Sequence, residues 1–256
     1  MSKNFYVTTP IYYVNDKPHI GHAYTSLAAD ILARFKRLDN YNVFFLTGTD
    51  EHGQKVEKSA IKQNKSPQEF CNEISIKFKE LADFMGYSYD HFIRTTDDNH
   101  KKTAQKFWQI LEDRGFVYKD IYEGWYAIRD EAFYSEDEIV DGKAPSGAEV
   151  VWEKQESYFF KLSSFEKPLL DYIEKNPDFI SLESKKNEVT SFIKTGLKDL
   201  SISRTSFNWG IKVPNNENHV IYVWIDALTN YLSALDFCSN DQKYQDFWQN
   251  GINCPI

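Results

Sequence analysis

The chain has 256 residues, of which 41% are hydrophobic and 27% are charged, and its formal net charge is −8. This length and composition suffice for a folded protein of one or two domains and argue against a disordered chain. The excess of acidic residues argues against a protein whose main task is to grip a phosphate backbone.

The first part of the chain predicts a strand, a helix and a second strand. Residues 5–9 are β-branched and aromatic and end at Pro10, and residues 42–47 form a second apolar run that we expect Gly48 to close. Between the two runs, apolar residues recur at helical spacing from Ile20 onward, namely Ala23, Leu27, Ile31, Phe35 and Leu38. This order favours a parallel sheet with a right-handed crossover.

Two more helices and a short strand are predicted before residue 116. Ser66, Pro67 and Glu69 have the spacing of a capping box with proline at the first helical position. The apolar face of that helix would consist of Phe70, Ile74, Phe78 and Leu81, and Gly86 would end it. Residues 92–93 predict a third strand, and a helix around Trp108 would end at Gly115.

The pattern changes after Gly115. Residues 118–134 are rich in tyrosine, tryptophan and isoleucine in short runs and predict antiparallel strands, with turns at 141–142 and 145–147. Helices are expected at 168–174, 187–197 and 224–235, and a buried strand at 220–223. We therefore predict an α/β domain whose first half is 1–115, an inserted module at 116–215, and the start of the second half at 216–256.

The cysteines and the termini carry little information about function. Cys71, Cys238 and Cys254 form no C-x-x-C pair, so neither a zinc knuckle nor a disulfide framework is predicted, and reduced thiols in the cytoplasm are the simplest expectation. The first residues lack the apolar run of a signal peptide, and no run is long enough to span a membrane, so we expect no membrane partner.

His19-Ile20-Gly21-His22, at the junction of the first strand and the first helix, is the most informative segment. A helix N-terminus suits a triphosphate, Gly21 would let a flat base approach the backbone, and two imidazoles could donate to phosphate oxygens. Two neighbouring histidines are usually incidental, and the H-x-G-H pattern alone is a weak indication. Its position in the first strand-to-helix turn is what favours a functional interpretation.

Five segments are informative together, namely residues 7–15 with 19–22, then 45–53, 122–126, 203–211 and 222–227. In this order they resemble the class I aminoacyl-tRNA synthetases in their methionyl form. The isoleucyl, valyl, leucyl and cysteinyl enzymes share the H-x-G-H element. The lead-in Pro-Ile-Tyr-Tyr-Val-Asn and the block Thr-Asp-Glu-His-Gly point to methionine. The resemblance implies a Rossmann-type (HUP-like) catalytic domain in which 116–215 is the connective insertion.

The resemblance also implies roles for single residues. Asp50 would pair with the substrate ammonium, Arg204 would meet the phosphates or the adenylate, and ATP with Mg²⁺ would be held by His19, Gly21 and His22. The methionine pocket would be lined by Ile11, Tyr13, Trp224, Ala227 and Tyr231. Taken alone, a strand-end carboxylate is more often a surface group, an aromatic on an apolar helix face is more often core, and an arginine is as often in a surface ion pair. Trp224, Ala227 and Tyr231 would share one face of the predicted helix.

The sequence departs from the family pattern in two respects. Residues 130–144 contain no cysteine, so we predict no zinc in the insertion. The Lys-Met-Ser-Lys-Ser loop and the anticodon-binding domain are absent, so we expect a fragment impaired in activity.

The implied parent reaction activates methionine with ATP and transfers it to tRNA(Met). A small H-x-G-H nucleotidyltransferase and a non-catalytic methionine-binding remnant remain as alternatives. The oligomeric state is left open by the sequence.

Overall fold

A computed structural model describes residues 3–130, 132–239 and 241–255. The strands are β1 (Asn4–Thr8), β2 (Tyr12–Tyr13), β3 (Asn42–Asp50), β4 (His91–Arg94), β5 (Val117–Ala127), β6 (Ala132–Tyr134), β7 (Val151–Phe160), β8 (Leu200–Ser201), β9 (Ser203–Arg204), β10 (Lys212–Val213), β11 (Asn216–Ile221) and β12 (Ile252–Pro255). The α-helices are α1 (Ile20–Leu38), α2 (Gln54–Lys62), α3 (Pro67–Phe84), α4 (Asp98–Asp113), α5 (Glu166–Lys175), α6 (Glu183–Lys194), α7 (Val223–Asp226), α8 (Asn230–Ser233) and α9 (Asp241–Tyr244).

A five-stranded parallel sheet organises the region that contains the predicted site. β1 pairs in parallel with β12 on one side and with β3 on the other, and β3 also pairs in parallel with β2 and β4. β3 is the longest of these strands, and it lies between β1 and β2 on one side and β4 on the other. The predicted Rossmann-type parallel sheet is confirmed.

β3 extends further than the sequence predicted. We expected Gly48 to close this strand, but β3 continues through Gly48 to Asp50. A Cβ atom on Gly48 would overlap the backbone carbonyl of Ile93 in β4. Glycine here therefore permits close pairing of two strands and does not end one of them. As a result, Asp50 is the last residue of a strand.

The first helix packs on the sheet with small and polar residues. α1 spans the predicted residues, and its buried positions are Ser26, Ala29, Asp30 and Ala33. Ala29 and Ala33 join a core cluster that includes Phe5, Val7, Val43 and Phe45. The apolar residues that predicted the helix point the other way and are exposed, namely Leu27, Ile31, Phe35 and Leu38 together with Ile20 and Tyr24.

The helix predicted at 224–235 is present over 223–233, but it is not α-helical throughout. The structure has α7, then a 3₁₀ turn at Ala227–Thr229, then α8. Thr229 Oγ1 donates to the carbonyl of Asp226 at 2.9 Å, and Asn230 Nδ2 donates to the carbonyl of Ala227 at 2.6 Å. Side chains that hydrogen-bond to nearby backbone carbonyls compete with the regular α-helical pattern. Trp224, Ala227 and Tyr231 therefore lie on three successive short elements.

The chain divides into two compact units, one formed by 1–109 with 204–256 and the other by 110–203. The second unit contains the antiparallel sheet β6-β5-β7-β8 together with α5 and α6. The segment after residue 203 belongs to the first unit. Trp209 shows why, because its Nε1 donates to the carbonyl of Glu51 and its own carbonyl accepts from Gly53 N at 3.2 Å. The insertion expected at 116–215 stays a prediction. Among the described residues, no helix is both long and apolar enough to cross a membrane.

Candidate active site

A pair of histidines caps the N-terminus of α1. His19 is the N-cap residue, and its Nδ1 accepts from the backbone N–H of Gly21 at 3.1 Å. His22 Nδ1 in turn accepts from the backbone N–H of His19 at 3.1 Å. The two rings stack with their centroids 3.8 Å apart. Two imidazoles thus form the reciprocal capping box that serine and glutamate form at other helices.

The capping box determines which ring nitrogens carry hydrogen. A nitrogen that accepts a hydrogen bond cannot be protonated, so in the neutral rings the hydrogen lies on Nε2 of both His19 and His22. Burial and the neighbouring His19 lower the pKa of His22, which favours its neutral form. Each ring therefore keeps one N–H donor that the cap does not use, beside the positive end of the helix dipole. Such donors suit an anion.

Gly21 makes room for the first of these rings. A Cβ atom at this position would lie 3.0 Å from Cε1 of His19, which is tighter than ordinary van der Waals contact. A side chain would therefore displace the imidazole that caps the helix. The role predicted from the sequence, close approach of a base, stays a prediction.

Asp50 lies at the carboxyl end of β3, next to β2. It is 9% exposed, it is the register partner of Tyr13, and its carbonyl accepts from Val14 N at 3.2 Å. The structure therefore brings Tyr13 and Asp50 together at one edge of the sheet. Open parallel sheets bind their ligands at the carboxyl ends of the strands.

The remaining predicted pocket residues fall into two groups. Ile11 and Tyr231 are half-buried and pack against one core cluster, and the backbone carbonyl of Tyr231 accepts from Tyr6 Oη at 3.0 Å. Trp224 on α7 is 49% exposed, so much of its ring faces solvent. Ala227 is half-buried and begins the following turn.

Arg204 is buried and not at the surface. It is 3% exposed, and its guanidinium carbon lies 3.7 Å from the ring centroid of Tyr222. This is the geometry of a cation–π contact. Tyr222 is the N-cap residue of α7, so Arg204 lies against the start of the segment that contains Trp224.

A buried polar network that was not predicted from the sequence lies beside these residues. Asp226 Oδ2 lies 2.7 Å from His52 Nδ1, and Asp226 Oδ1 lies 2.9 Å from His100 Nε2. His100 Nδ1 lies 3.0 Å from Ser233 Oγ. Burial alone would raise the pKa of Asp226, but the charge of His52 and the hydrogen bonds from both histidines hold it well below its usual range. One indication was present in the sequence, because His100 precedes Ala104 and Trp108 at helical spacing.

Within 3–130, 132–239 and 241–255, no cluster of three or more His, Cys, Asp or Glu residues is arranged to hold a metal ion. The predicted absence of zinc stays a prediction.

The profile of the family described as tRNA synthetases class I (M) matches residues 5–150 and 141–256. The chain belongs to this family. The segments that match include the histidine capping box, the carboxyl end of β3 and α7. The family predicted from the sequence is confirmed.

Curated relatives of this class I (M) chain are named methionine–tRNA ligase. The protein of Rickettsia conorii is 60% identical over 249 residues, which cover 97% of this chain and 49% of the relative. A protein of Bacillus cereus is 51% identical over 265 residues, which cover 98% of this chain and 40% of the relative. The chain thus spans half or less of the length of these relatives.

Solved structures of a class I (M) synthetase have the same fold. Mycobacterium tuberculosis methionyl-tRNA synthetase in complex with methionyl-adenylate has a TM-score of 0.93 and 45% sequence identity, covering 99% of this chain and 51% of that one. The apo form of the M. tuberculosis enzyme has a TM-score of 0.82 and 42% identity, covering 100% of this chain and 50% of the other.

Proposed function

We propose that this chain binds methionine and ATP and forms methionyl-adenylate, and that the full-length protein transfers the methionyl group to tRNA(Met). The observation that carries the proposal is the capping box of His19 and His22, which leaves two N–H donors at the N-terminus of α1. The names of the relatives and the methionyl-adenylate bound to the M. tuberculosis enzyme support the choice of methionine. We also propose that residues 110–203 are the connective insertion of the family.

The proposed reaction is a single in-line displacement. A carboxylate oxygen of methionine attacks the α-phosphorus of ATP, which enters as its Mg²⁺ complex. One oxygen–phosphorus bond forms, the bond to the bridging oxygen breaks, and pyrophosphate leaves with the electron pair. No side-chain nucleophile takes part, so the protein acts by holding two reactants in line and by placing donors where charge develops.

The ATP phosphates and the methionine ammonium are assigned to different residues. The Nε2–H groups of His19 and His22 donate to ATP phosphates, and Gly21, which has no side chain, leaves room for the His19 ring. Asp50 accepts from the methionine ammonium. Arg204, beside the start of α7, is assigned to the phosphates or the adenylate.

The side chain of methionine is assigned to a mixed apolar and aromatic pocket. A thioether packs favourably against aromatic rings, which suits the half-exposed ring of Trp224. The other proposed lining residues are Ile11, Tyr13, Ala227 and Tyr231.

Calorimetric titration with methionine and, separately, with ATP tests the proposal. Asp50→Ala should abolish measurable methionine binding and leave ATP binding within about twofold, because it removes the partner of the ammonium and not a phosphate donor. Glu80→Gln, on the exposed face of α3, is the matched control and should change neither affinity.

The possible outcomes separate the rival functions. ATP–pyrophosphate exchange that depends on methionine would support adenylate formation. Binding of methionine without any exchange would favour a non-catalytic remnant. Binding of ATP without methionine would favour a nucleotidyltransferase, and unchanged methionine affinity in Asp50→Ala would refute the role of Asp50.

A further inference from the structure

Four buried side chains, from three helices and the loop after β3, form one hydrogen-bonded series. His52 follows β3, His100 lies on α4, Asp226 on α7 and Ser233 on α8. All four are buried, and His100 and Ser233 have no exposed surface. The series ties the carboxyl end of the central strand to the short helices that follow β11.

The ionised carboxylate of Asp226 determines which ring nitrogens of His52 and His100 act as donors. An ionised carboxylate can only accept hydrogen bonds, so His52 Nδ1 and His100 Nε2 both carry hydrogen and both donate to Asp226. Each oxygen of Asp226 thus receives one ring N–H. Loss of either donor would leave the buried carboxylate of Asp226 with one hydrogen bond fewer, which costs free energy. This cost favours rearrangement of α7, which carries Asp226.

The network lies between the two segments that the proposed function assigns to methionine. Asp50, the proposed partner of the ammonium, is two residues before His52. Trp224 is two residues before Asp226, and Ala227 directly follows it. The hydrogen bond between His52 and Asp226 therefore fixes the separation of the segments that would contact the two ends of the amino acid.

We infer that His100 is a positioning residue for methionine, which holds Asp226 in place from α4 and so sets the spacing between Asp50 and the Trp224–Ala227 segment. This inference rests on the proposed function. His100 is fully buried behind Asp226, so it acts through Asp226 and not by touching the substrate. Displacement of a binding group by about 1 Å can reduce the rate of a reaction by about a hundredfold.

Two substitutions of His100 distinguish positioning from simple packing. In His100→Gln, the amide nitrogen lies about as far from the backbone as Nε2 and can still donate to Asp226. In His100→Asn, the shorter side chain reaches only as far as Nδ1 and leaves Asp226 Oδ1 without its donor. Both replacements are polar and uncharged, so they differ mainly in reach.

Separate titrations of each variant with methionine and with ATP test the inference. His100→Asn should weaken methionine binding by at least about tenfold and ATP binding by less than about twofold, because the ATP donors cap α1 and take no part in the network. His100→Gln should recover most of the methionine affinity. The melting temperature of each variant shows whether it is folded.

The outcomes separate this inference from the proposed function. If the wild-type chain binds no methionine, the proposed function fails. If the wild type binds methionine and His100→Asn binds it equally well, only the positioning role fails. Equal weakening of methionine and ATP, or no recovery in His100→Gln, would show a merely structural role and overturn the inference. Should His100→Asn not fold, Ser233→Ala decides, because it removes the far partner of His100 and should weaken methionine binding alone.

Discussion

The carboxylate of Glu51 is a fully buried charge beside the candidate site. It accepts from Arg94 Nε at 2.7 Å and Nη2 at 2.9 Å, and from the hydroxyls of Thr49 at 2.7 Å and Thr96 at 2.5 Å. Burial of a single ion is expensive, so these partners must remain in place. Because Glu51 directly follows Asp50, the ion pair also anchors the end of β3.

Removal of the Arg94 guanidinium from Glu51 should destabilise the fold more than removal of the Thr96 hydroxyl. We expect Arg94→Met to lower the free energy of unfolding by ~3–5 kcal/mol, since it leaves the buried charge of Glu51 unpaired. Thr96→Val should cost ~1.5–3 kcal/mol, the range for one hydrogen bond to a charged group. Lys65→Met, which breaks a solvent-exposed pair with Glu73, should cost no more than ~1 kcal/mol. Urea denaturation followed by circular dichroism measures all three, and equal losses would contradict the argument.

The charge of His52 makes stability depend on pH. Burial alone would lower the pKa of His52, but the carboxylate of Asp226, with Asp50 and Glu51 adding to it, raises the pKa above its ordinary value. A raised pKa in the folded state stabilises the fold below about pH 6.5, and this contribution is lost as pH rises through the folded value. The stabilising charge of His52 is therefore a low-pH feature.

We expect His52→Gln to lower the free energy of unfolding more at pH 5.5 than at pH 8.5. His91→Gln supplies a comparison of opposite sign, because burial and the neighbouring Lys243 lower the pKa of His91. A lowered histidine pKa disfavours the fold at low pH, so loss of His91 should cost less at pH 5.5 than at pH 8.5. Urea titrations at the two pH values provide the four numbers. A pH-independent effect of His52→Gln would mean that His52 is neutral throughout.

Among the helices, α1 shows how far periodicity alone can predict structure. Its apolar residues correctly indicated a helix, because spacing of three and four residues is a local property of the backbone. They did not indicate which face is buried. The face on the sheet uses Ala29 and Ala33, which allow close approach, and Asp30, which accepts from Ser88 N and Oγ at 2.6 Å. The spacing of apolar residues along the sequence does not predict such long-range partners.

The exposed apolar stripe of α1, defined as Ile20, Tyr24, Leu27, Ile31, Phe35 and Leu38, should make this chain self-associate. Exposed apolar patches that are continuous favour association, whereas scattered apolar residues do not. Ile31→Lys, at a position 60% exposed, should shift the chain toward monomer without lowering its melting temperature. Ile61→Lys, at a position 64% exposed on α2, adds the same charge away from the stripe and should leave association unchanged. Sedimentation velocity at several concentrations compares the two variants, and equal effects would exclude the stripe as the contact surface.

In the other elements too, features set by residues close in sequence were predictable, whereas features set by other contacts were not. The capping box of Ser66 and Glu69 at α3 was predictable, because both partners lie within one turn of helix. The 3₁₀ turn between α7 and α8 was not predictable, because apolar spacing does not show that the side chains of Thr229 and Asn230 hydrogen-bond to nearby backbone carbonyls. The site follows the same rule. His19 and His22 are one turn apart and were identified, whereas His52, His100 and Asp226 meet only after folding.

The two compact units have separate cores. The unit formed by 1–109 and 204–256 contains the clusters around Phe45, Phe70 and Leu46, while the unit at 110–203 contains its own cluster around Ala127 and buries Tyr126. If residues 110–203 unfold, they become a long flexible loop that joins the two parts of the first unit. The entropic cost of that loop grows slowly with length, by about 0.6 kcal/mol for each doubling, so the first unit can stay folded without the insertion.

We therefore expect two thermal transitions, one for each unit. Phe45→Ala, at a fully buried position in β3, should cost ~3–5 kcal/mol and lower only the transition of the first unit, by several degrees or more. Tyr126→Ala, at a position 2% exposed in β5, should lower only the other transition. Differential scanning calorimetry of the wild type and both variants assigns each transition, and each variant serves as the control for the other. A single transition lowered by both substitutions would show that the two cores unfold as one cooperative unit, and that the small loop-closure cost is not what decides how this chain unfolds.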